Sequence, residues 1–370
     1  MRTVPIRIPQ KIPVMNLPTQ RSLRRPAAHA RIARGLVAVV ALIAAQVWVP
    51  QAQAQAVNLY TTREPALMRP LIEAFTAKSG IKVNTVFFKD GLLERVKSEG
   101  AASPADVLMT ADIGNVVDLA TNGLLQPIRS AEIESAVPPT LRSPEGTWFA
   151  LSLRDRVVYA NPATAPASLT YEDLAKPEWK GKVCIRSGQH PYNVALVASM
   201  IQHNGIAATE AWLRGVKRNL ARRPGGGDRD VARDILGGLC EIGIANAYYA
   251  GQMKSAGQGT QARQWGDAIK VIRPTFEKTG GTFVNVTAAG IAAHAPNKAR
   301  AIALLEFLVS DAGQRLYTGI DFEYPVRAGV PLSPVMEAFG PLVPDDTPLE
   351  TIAAQRVVAS RLIDRVGFDQ

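Results

Sequence analysis

Apolar and polar residues follow two different periods in the chain after residue 56. Short apolar runs at residues 57–60, 81–88 and 105–109 predict strands. Between them, residues 66–78 and 91–99 repeat apolar side chains every three or four positions, which predicts helices. The resulting order, strand-helix-strand-helix-strand, is typical of a parallel sheet. Ligands bind beyond the carboxyl ends of the strands in such sheets, so we expect a cleft there.

The pattern changes near residue 150, where the chain is expected to leave a first lobe. Extended apolar runs at residues 148–153 and 156–159 are interrupted by the charged pair Arg154-Asp155, and we interpret this stretch as a crossing between lobes. The apolar run at residues 283–287 is the expected return crossing. Further helices are predicted at residues 113–122, 194–203, 208–219, 229–236, 297–308 and 351–366.

The length of the chain also predicts two lobes. About 314 residues follow position 56, which is more than usually fold around one hydrophobic core. We expect residues 57–155 with about 283–328 to form the first lobe. The second lobe would then comprise residues 156–282 with about 329–370.

Residues 1–56 predict a secretory signal peptide. A basic segment at residues 21–34 precedes an apolar run at 35–49, and QAQAQA follows with small residues at alternate positions. The apolar run is too short to span a bilayer comfortably. Cleavage after Ala54 or Ala56 would leave a mature periplasmic chain that starts near Val57, and Met15 is a plausible alternative start.

The leader also accounts for the basic charge. The full chain carries a formal charge of +10, but residues 1–56 hold eight Lys or Arg and no Asp or Glu. Their removal leaves 34 basic and 32 acidic side chains, so the mature chain is near neutral. This balance gives no indication of a nucleic-acid partner. We expect a monomer that does not span the membrane once the signal is cleaved.

Two cysteines remain in the mature chain, Cys184 and Cys240. Export would place them in an oxidising compartment, where a disulfide between them is plausible. The alternative is two small buried apolar residues.

The main chemical feature of the sequence is the adjacent pair Tyr248 and Tyr249, which follows an apolar run at residues 242–245 that predicts a buried strand. Neighbouring side chains of a strand point to opposite faces, so two phenols converge only where the strand ends and the chain turns. Phenolates are hard anionic ligands that suit a small, highly charged cation such as Fe(III). The alternative is ordinary aromatic packing at a strand end.

A third phenol is related to this pair by spacing. Cys184 lies eight residues before Tyr192, and Cys240 lies eight residues before Tyr248. If the cysteines are bonded across neighbouring strands, Tyr192 and the Tyr248-Tyr249 pair emerge from the same edge of the sheet. Coincidence would give the same spacing.

Ordered motifs along the mature chain resemble those of the bacterial periplasmic ferric-iron-binding proteins, the substrate-binding components of iron(III) ABC transporters. The motifs are VNLYTTRE, SPADVLMTAD, SLRDRVVYANP, WKGKVCIRSGQHPYN, IANAYYAGQM, GTFVNVTAAGI and EYPVRAGVPL. The resemblance implies an α/β fold of the two-lobed, class II, transferrin-like type, with mixed sheets flanked by helices and a cleft between lobes. It implies a carrier that is not an enzyme and that docks on an inner-membrane ABC permease.

The resemblance also implies site residues. The metal-binding tyrosines of the family correspond to Tyr248 and Tyr249, and members with a third tyrosine match Tyr192. A histidine and tyrosine used by some members are replaced here by Glu64 and Pro65, which leaves the first-lobe ligands open. Glu64 is a candidate carboxylate ligand in their place. Apart from the resemblance, Tyr60 is a candidate for the cleft lining because it ends the first strand, with ordinary packing as the alternative role.

Members of the three-tyrosine type complete the coordination with carbonate or another small anion. Three phenolates balance Fe(III), so an added carbonate or bicarbonate would need an arginine, whose planar fork suits that anion. The expected anion-binding residues are Arg154 and Arg156, then Arg63. A salt bridge, with Asp155 as partner, is the alternative role. We expect His190 at the rim of the site.

Other functions remain open at this point. A relative that binds a polyamine, thiamine or a phosphonate would need a pocket of different chemistry. A secreted enzyme is disfavoured because the chain has no GxSxG or HExxH motif and only three histidines after residue 56. The glycine triplet at residues 225–227 lacks the lysine of a phosphate-binding loop and indicates a flexible turn.

Overall fold

The computed structural model describes residues 56–370. The predicted signal peptide, with Met15 and the cleavage position after Ala54, lies outside the described residues. No helix within residues 56–370 has the length and apolar character needed to cross a membrane.

The described chain is a mixed α/β structure. The strands are β1 (Ala56–Thr61), β2 (Lys82–Phe87), β3 (Val107–Thr110), β4 (Leu125–Gln126), β5 (Phe149–Ala160), β6 (Val183–Cys184), β7 (Ile242–Asn246), β8 (Lys270–Ile272), β9 (Val284–Ala292) and β10 (Tyr324–Pro325). The helices are α1 (Pro65–Ser79), α2 (Leu92–Glu99), α3 (Ile113–Thr121), α4 (Ala131–Ala136), α5 (Pro191–Arg218), α6 (Asp228–Leu236), α7 (Ala247–Lys254), α8 (Gln261–Asp267), α9 (Lys298–Val309), α10 (Asp311–Leu316), α11 (Pro334–Glu337), α12 (Leu349–Ala354) and α13 (Arg356–Val366). Short 3₁₀ turns cover Gly100–Ala102, Pro139–Leu141, Glu172–Ala175 and Pro177–Trp179, and a wider π turn covers Tyr317–Asp321.

The main sheet runs in the order β2-β1-β3-β9-β5-β7-β6. Strand β1 pairs in parallel with both β2 and β3, which confirms the parallel arrangement predicted from the alternating strands and helices. Strand β9 is antiparallel to β3 and to β5, so it joins the amino-terminal strands to the rest of the sheet.

The charged pair Arg154-Asp155, which separates two apolar runs in the sequence, does not break the strand, because β5 is one buried strand of 12 residues that includes both charges. Each charge has partners far away in sequence. The Asp155 carboxylate accepts a hydrogen bond from Arg273 Nε at 2.8 Å, and Arg154 donates to the carbonyl of Val286 at 2.8 Å. Charged side chains can lie in a buried strand when they are paired in this way.

Strand β5 changes partner along its length. Residues Phe149 to Asp155 pair with β9, whereas Arg156 to Ala160 pair with β7. The single strand therefore connects the part of the sheet that contains β1, β2 and β3 with the part that contains β6 and β7.

The two helices predicted at residues 194–203 and 208–219 correspond to the two halves of α5, which is broken at Gly205 by a non-helical backbone with φ of 78° and ψ of 166°. Glycine adopts this φ more readily than other residues. Another helix prediction differs from the structure in its continuity. The closing helix predicted at residues 351–366 is divided into α12 and α13 at Gln355. The apolar spacing continues across that break, so the pattern could not reveal it.

The two cysteines form a disulfide, with their Cα atoms 5.9 Å apart. Cys184 ends β6, which pairs in parallel with β7, and Cys240 lies just before β7. Helix α5 follows β6 and helix α7 follows β7, so both helices begin beyond the same edge of the sheet.

We expect the disulfide to stabilise the fold, because it closes a loop of 56 residues in the unfolded chain. Replacement of both cysteines by serine should lower the free energy of unfolding by about 2–4 kcal/mol, measured by urea denaturation. The free energy of unfolding of the wild-type protein in a reducing agent should approach that of the variant. If oxidised and reduced wild-type protein unfold at the same urea concentration, the disulfide does not stabilise the native state.

Candidate metal centre

The three tyrosines singled out in the sequence lie around one cavity. Tyr248 and Tyr249 occupy the first turn of α7, and Tyr192 occupies the first turn of α5. The rings of Tyr248 and Tyr249 have centroids 4.0 Å apart and are inclined by 32°. The cavity has a volume of about 210 Å³ and is lined by Thr62, Arg63, Glu64, Leu67, Phe87, Lys89, Ala111, Arg186, His190, Tyr192, Tyr248 and Tyr249.

Burial changes the acidity of the paired phenols. Tyr248 and Tyr249 are 3% and 7% exposed, and burial raises the pKa of both above the usual value near 10. The nearby Tyr192 adds to this shift, because two phenolates close together repel each other. At neutral pH both phenols are therefore protonated, and a cation that binds them must displace their protons.

Three arginines surround Tyr192. The guanidinium carbons of Arg154, Arg186 and Arg156 lie 5.1, 5.3 and 6.0 Å from the centroid of its ring. The three guanidinium groups therefore place positive charge around this ring.

Arg154 differs from the other predicted anion-binding residues in its partners. Its Nη2 donates to the carbonyls of Ala111 and Val286, while its Nε lies 3.9 Å from the nearest carboxylate oxygen, on Glu323. Its Nε and Nη1 are buried without a hydrogen-bond partner in the described structure. Arg154 is not among the residues that line the cavity, but it contacts the ring of Tyr192 and keeps two buried donors without a partner, which is uncommon for buried polar groups.

The other two predicted arginines are occupied by carboxylates. Arg156 Nη1 lies 2.6 Å from Asp228 Oδ2. Arg63 lies 3.0 Å from Asp321 and 2.7 Å from Glu323, although it also lines the cavity. Asp155, the expected partner of the central arginines, pairs with Arg273 instead.

His190 supports Tyr192 from the start of α5. Its Nδ1 accepts a hydrogen bond from the backbone N–H of Tyr192 at 3.2 Å, and the two rings meet edge to face at 4.5 Å. Burial and the positive charges of Arg186 and Arg156 lower the pKa of His190 to about 3. The imidazole is therefore neutral at physiological pH, as a hydrogen-bond acceptor at a helix start must be.

The two first-lobe residues considered in the sequence lie in different places. Glu64 lines the cavity with an exposed side chain. Tyr60 is buried outside the cavity lining, and its hydroxyl donates to Glu99 Oε1 at 3.1 Å. The structure thus brings Glu64 to the tyrosines and keeps Tyr60 away from them.

Sequence reasoning missed Arg186, which lines the cavity beside the three tyrosines and lies 3.3 Å from Asp228. The sequence did contain a signal for Arg186, because it lies two residues after Cys184 and six before Tyr192. Both of those residues were expected at the edge of the sheet where the tyrosines meet. Within residues 56–370, no group of three or more His, Cys, Asp or Glu side chains is placed to hold a metal ion.

Known proteins resemble this chain over most of its length. A ferric binding protein from Bordetella is 63% identical, with a TM-score of 0.79, and the match covers 85% of this chain and 100% of that one. The apo ferric ion-binding protein A of Pasteurella haemolytica is 43% identical, with a TM-score of 0.82 and coverage of 86% and 99%. Iron uptake protein A1 of Synechocystis sp. is 39% identical over 317 residues, which are 85% of this chain and 88% of that protein.

The family model of the bacterial extracellular solute-binding proteins matches residues 102–357, well over half of the chain. The members of this family are transport proteins, and the resemblance drawn from the sequence motifs is confirmed. The chain belongs to the bacterial extracellular solute-binding proteins.

Proposed function

We propose that this chain is a periplasmic carrier that binds Fe(III) through the phenolates of Tyr192, Tyr248 and Tyr249 and delivers it to an inner-membrane ABC permease. The observation that carries the proposal is the meeting of three phenols from two helix starts on one cavity. The names of the relatives, which refer to iron uptake or ferric ion binding, support iron as the cargo.

The chemistry of the cavity suits a trivalent cation. Three phenolates carry three negative charges and balance Fe(III). A bound metal is the largest local charge in a site and can deprotonate phenols whose pKa is raised in the free protein. Polyamines and thiamine, by contrast, would need carboxylates or flat aromatic surfaces, whereas the cations Arg186 and Lys89 line this cavity.

We infer that carbonate or bicarbonate completes the coordination and is held by Arg154. The two unpartnered nitrogens of Arg154 and its position over Tyr192 support this choice. Arg63 and Arg156 are the weaker candidates, because carboxylates already occupy them.

We also propose that two lobes close over the ion by a hinge motion. The first lobe would comprise residues 57–155 and about 283–328, and the second residues 156–282 and about 329–370. The change of partner along β5 after Asp155 and the start of β9 at Val284 support these limits.

One ion-pair cluster would then join the lobes in the closed form. Arg356, at the start of α13, donates to Asp118 Oδ2 and to Asn115 Oδ1, each at 2.7 Å, and both acceptors belong to α3. Gly114 makes room for it, because a Cβ atom there would lie 1.8 Å from Arg356 Cδ.

The iron ligands are tested by the Tyr248→Phe variant. Purified metal-free protein titrated with ferric citrate should develop a phenolate-to-iron charge-transfer band, and the variant should lose most of it. Mutation of a residue that only supports a metal ligand lowers metal affinity by about 10- to 100-fold. Loss of a ligand itself should therefore weaken iron binding by about 100-fold or more.

Tyr60→Phe is the matched control, since its phenol bonds to Glu99 outside the cavity. The control should keep the band. A wild-type protein without a band, or a Tyr248→Phe variant with an unchanged one, would contradict the proposed ligands.

The anion is tested by the Arg154→Gln variant. Wild-type protein should bind iron more tightly when bicarbonate is present, and the variant should lose this dependence and bind iron about 10- to 100-fold more weakly. Arg129→Gln, which changes an exposed arginine, should behave as wild type. A variant that keeps the full response to bicarbonate would show that another group holds the anion.

The closed form is tested by Arg356→Gln and Gly114→Ala. Both variants should speed the transfer of iron to an external chelator by roughly tenfold. This factor corresponds to the loss of about 1.4 kcal/mol from a charged hydrogen-bond pair in the closed form. Arg365→Gln is the control on the same helix, because Arg365 pairs with Glu210 on α5 instead. Equal release rates for all three variants and wild type would refute a contact between lobes.

A further inference from the structure

The glycine triplet at residues 225–227 sets the start of α6 beside the tyrosines. Gly226 has a φ of 69°, in the left-handed region that favours glycine. The backbone N–H of Gly227 then donates to Asp230 Oδ2 at 2.7 Å, which closes the turn. The turn therefore serves a structural purpose that the sequence alone did not indicate, namely to aim Asp228 and Arg229 at the site.

Asp228 ties this helix start to the helix that carries the tyrosine pair. Its buried Oδ2 accepts a hydrogen bond from the backbone N–H of Asn246 at 2.8 Å, one residue before α7 begins. The first turn of α6 is thus fixed relative to the first turn of α7, and the next residue, Arg229, is fixed with it.

Arg229 covers one phenol ring. Its guanidinium carbon lies 4.6 Å from the ring centroid of Tyr249. Its Nη2 donates to Gln252 Oε1, and Gln252 lies three residues after Tyr249 on α7. The hydrogen bond holds the guanidinium over the face of the ring.

A cation above an aromatic face is attracted by the ring electrons, and the attraction grows when the ring carries a phenolate charge. The same cation opposes the movement of electron density from that phenolate towards a bound metal. Arg229 is held over the ring face, so it would act on the metal through the ring electrons of Tyr249.

We propose that Arg229 is a positioning residue that sets the donor strength of Tyr249 towards the bound ferric ion. The inference rests on the proposed function, because it takes Tyr249 as an iron ligand. The guanidinium over the ring makes this phenolate a weaker electron donor than one without a cation above it. The Tyr249-to-iron bond is therefore weaker than it would be without the cation over the ring.

The test is the position of the phenolate-to-iron charge-transfer band in Arg229→Gln and Arg229→Lys, each loaded with ferric citrate. Removal of the cation raises the energy of the phenolate electrons, so the band of Arg229→Gln should keep its intensity and move to longer wavelength. The midpoint potential of the bound iron should fall in the same variant. The band of Arg229→Lys should lie between those of wild type and Arg229→Gln, because an ammonium keeps the charge but not the planar guanidinium group.

Arg233→Gln is the matched control, since Arg233 lies on α6 and pairs with Asp230 and Asp234. Its band should not move. An unmoved band in Arg229→Gln, or loss of its band while the wild type keeps one, would overturn the inference and leave the proposed function standing. A wild-type protein without a band would overturn both, and thermal unfolding would confirm that each variant is folded.

Discussion

The parallel pairing of β6 with β7 determines where the candidate site lies. Val183 is in register with Ile242 and Cys184 with Gly243, so the two strands run side by side in the same direction, and β7 continues three residues beyond the end of β6. The disulfide to Cys240 holds this short pairing, which has only two residues on the β6 side. Because a helix begins soon after each strand, the phenols of both helix starts meet. A shift of either strand would separate Tyr192 from the pair on α7.

A second requirement is the neutralisation of the arginines behind the tyrosines. Asp228 is buried between Arg156 and Arg186, at 2.6 and 3.3 Å. Burial by itself would raise the pKa of this carboxyl, but the two arginines outweigh burial and hold the pKa below its usual value. Charges removed from water are tolerated when they are paired in this way, and the loss of one partner is costly. The site therefore combines two arginines that pair with Asp228, Arg154 with two unpartnered nitrogens, and Arg229 over a phenol ring.

Much of this arrangement was predictable because it is local. The parallel β1, β2 and β3 and the strand before Tyr248 followed from patterns within short stretches of chain. The common edge for the three phenols followed only if the two cysteines, 56 residues apart, were bonded. The partners of buried charges were not predictable, since Asp155 meets Arg273 and Arg156 meets Asp228 across long intervals. For the same reason the continuity of β5 and the place of Arg186 in the cavity escaped a sequence-based analysis. Tyr60, a cleft candidate because it ends a strand, lies outside the cavity lining.

The central claim is that ferric iron is held by the phenolic oxygens of Tyr192, Tyr248 and Tyr249. An iron-loaded crystal measured at the iron absorption edge tests it most directly, because anomalous scattering locates the metal itself. The account predicts one strong peak about 2 Å from all three phenolic oxygens, the usual length of a bond from a small cation to an anionic oxygen. A peak bound by Glu64 without the tyrosines, or one outside the cavity, would contradict it.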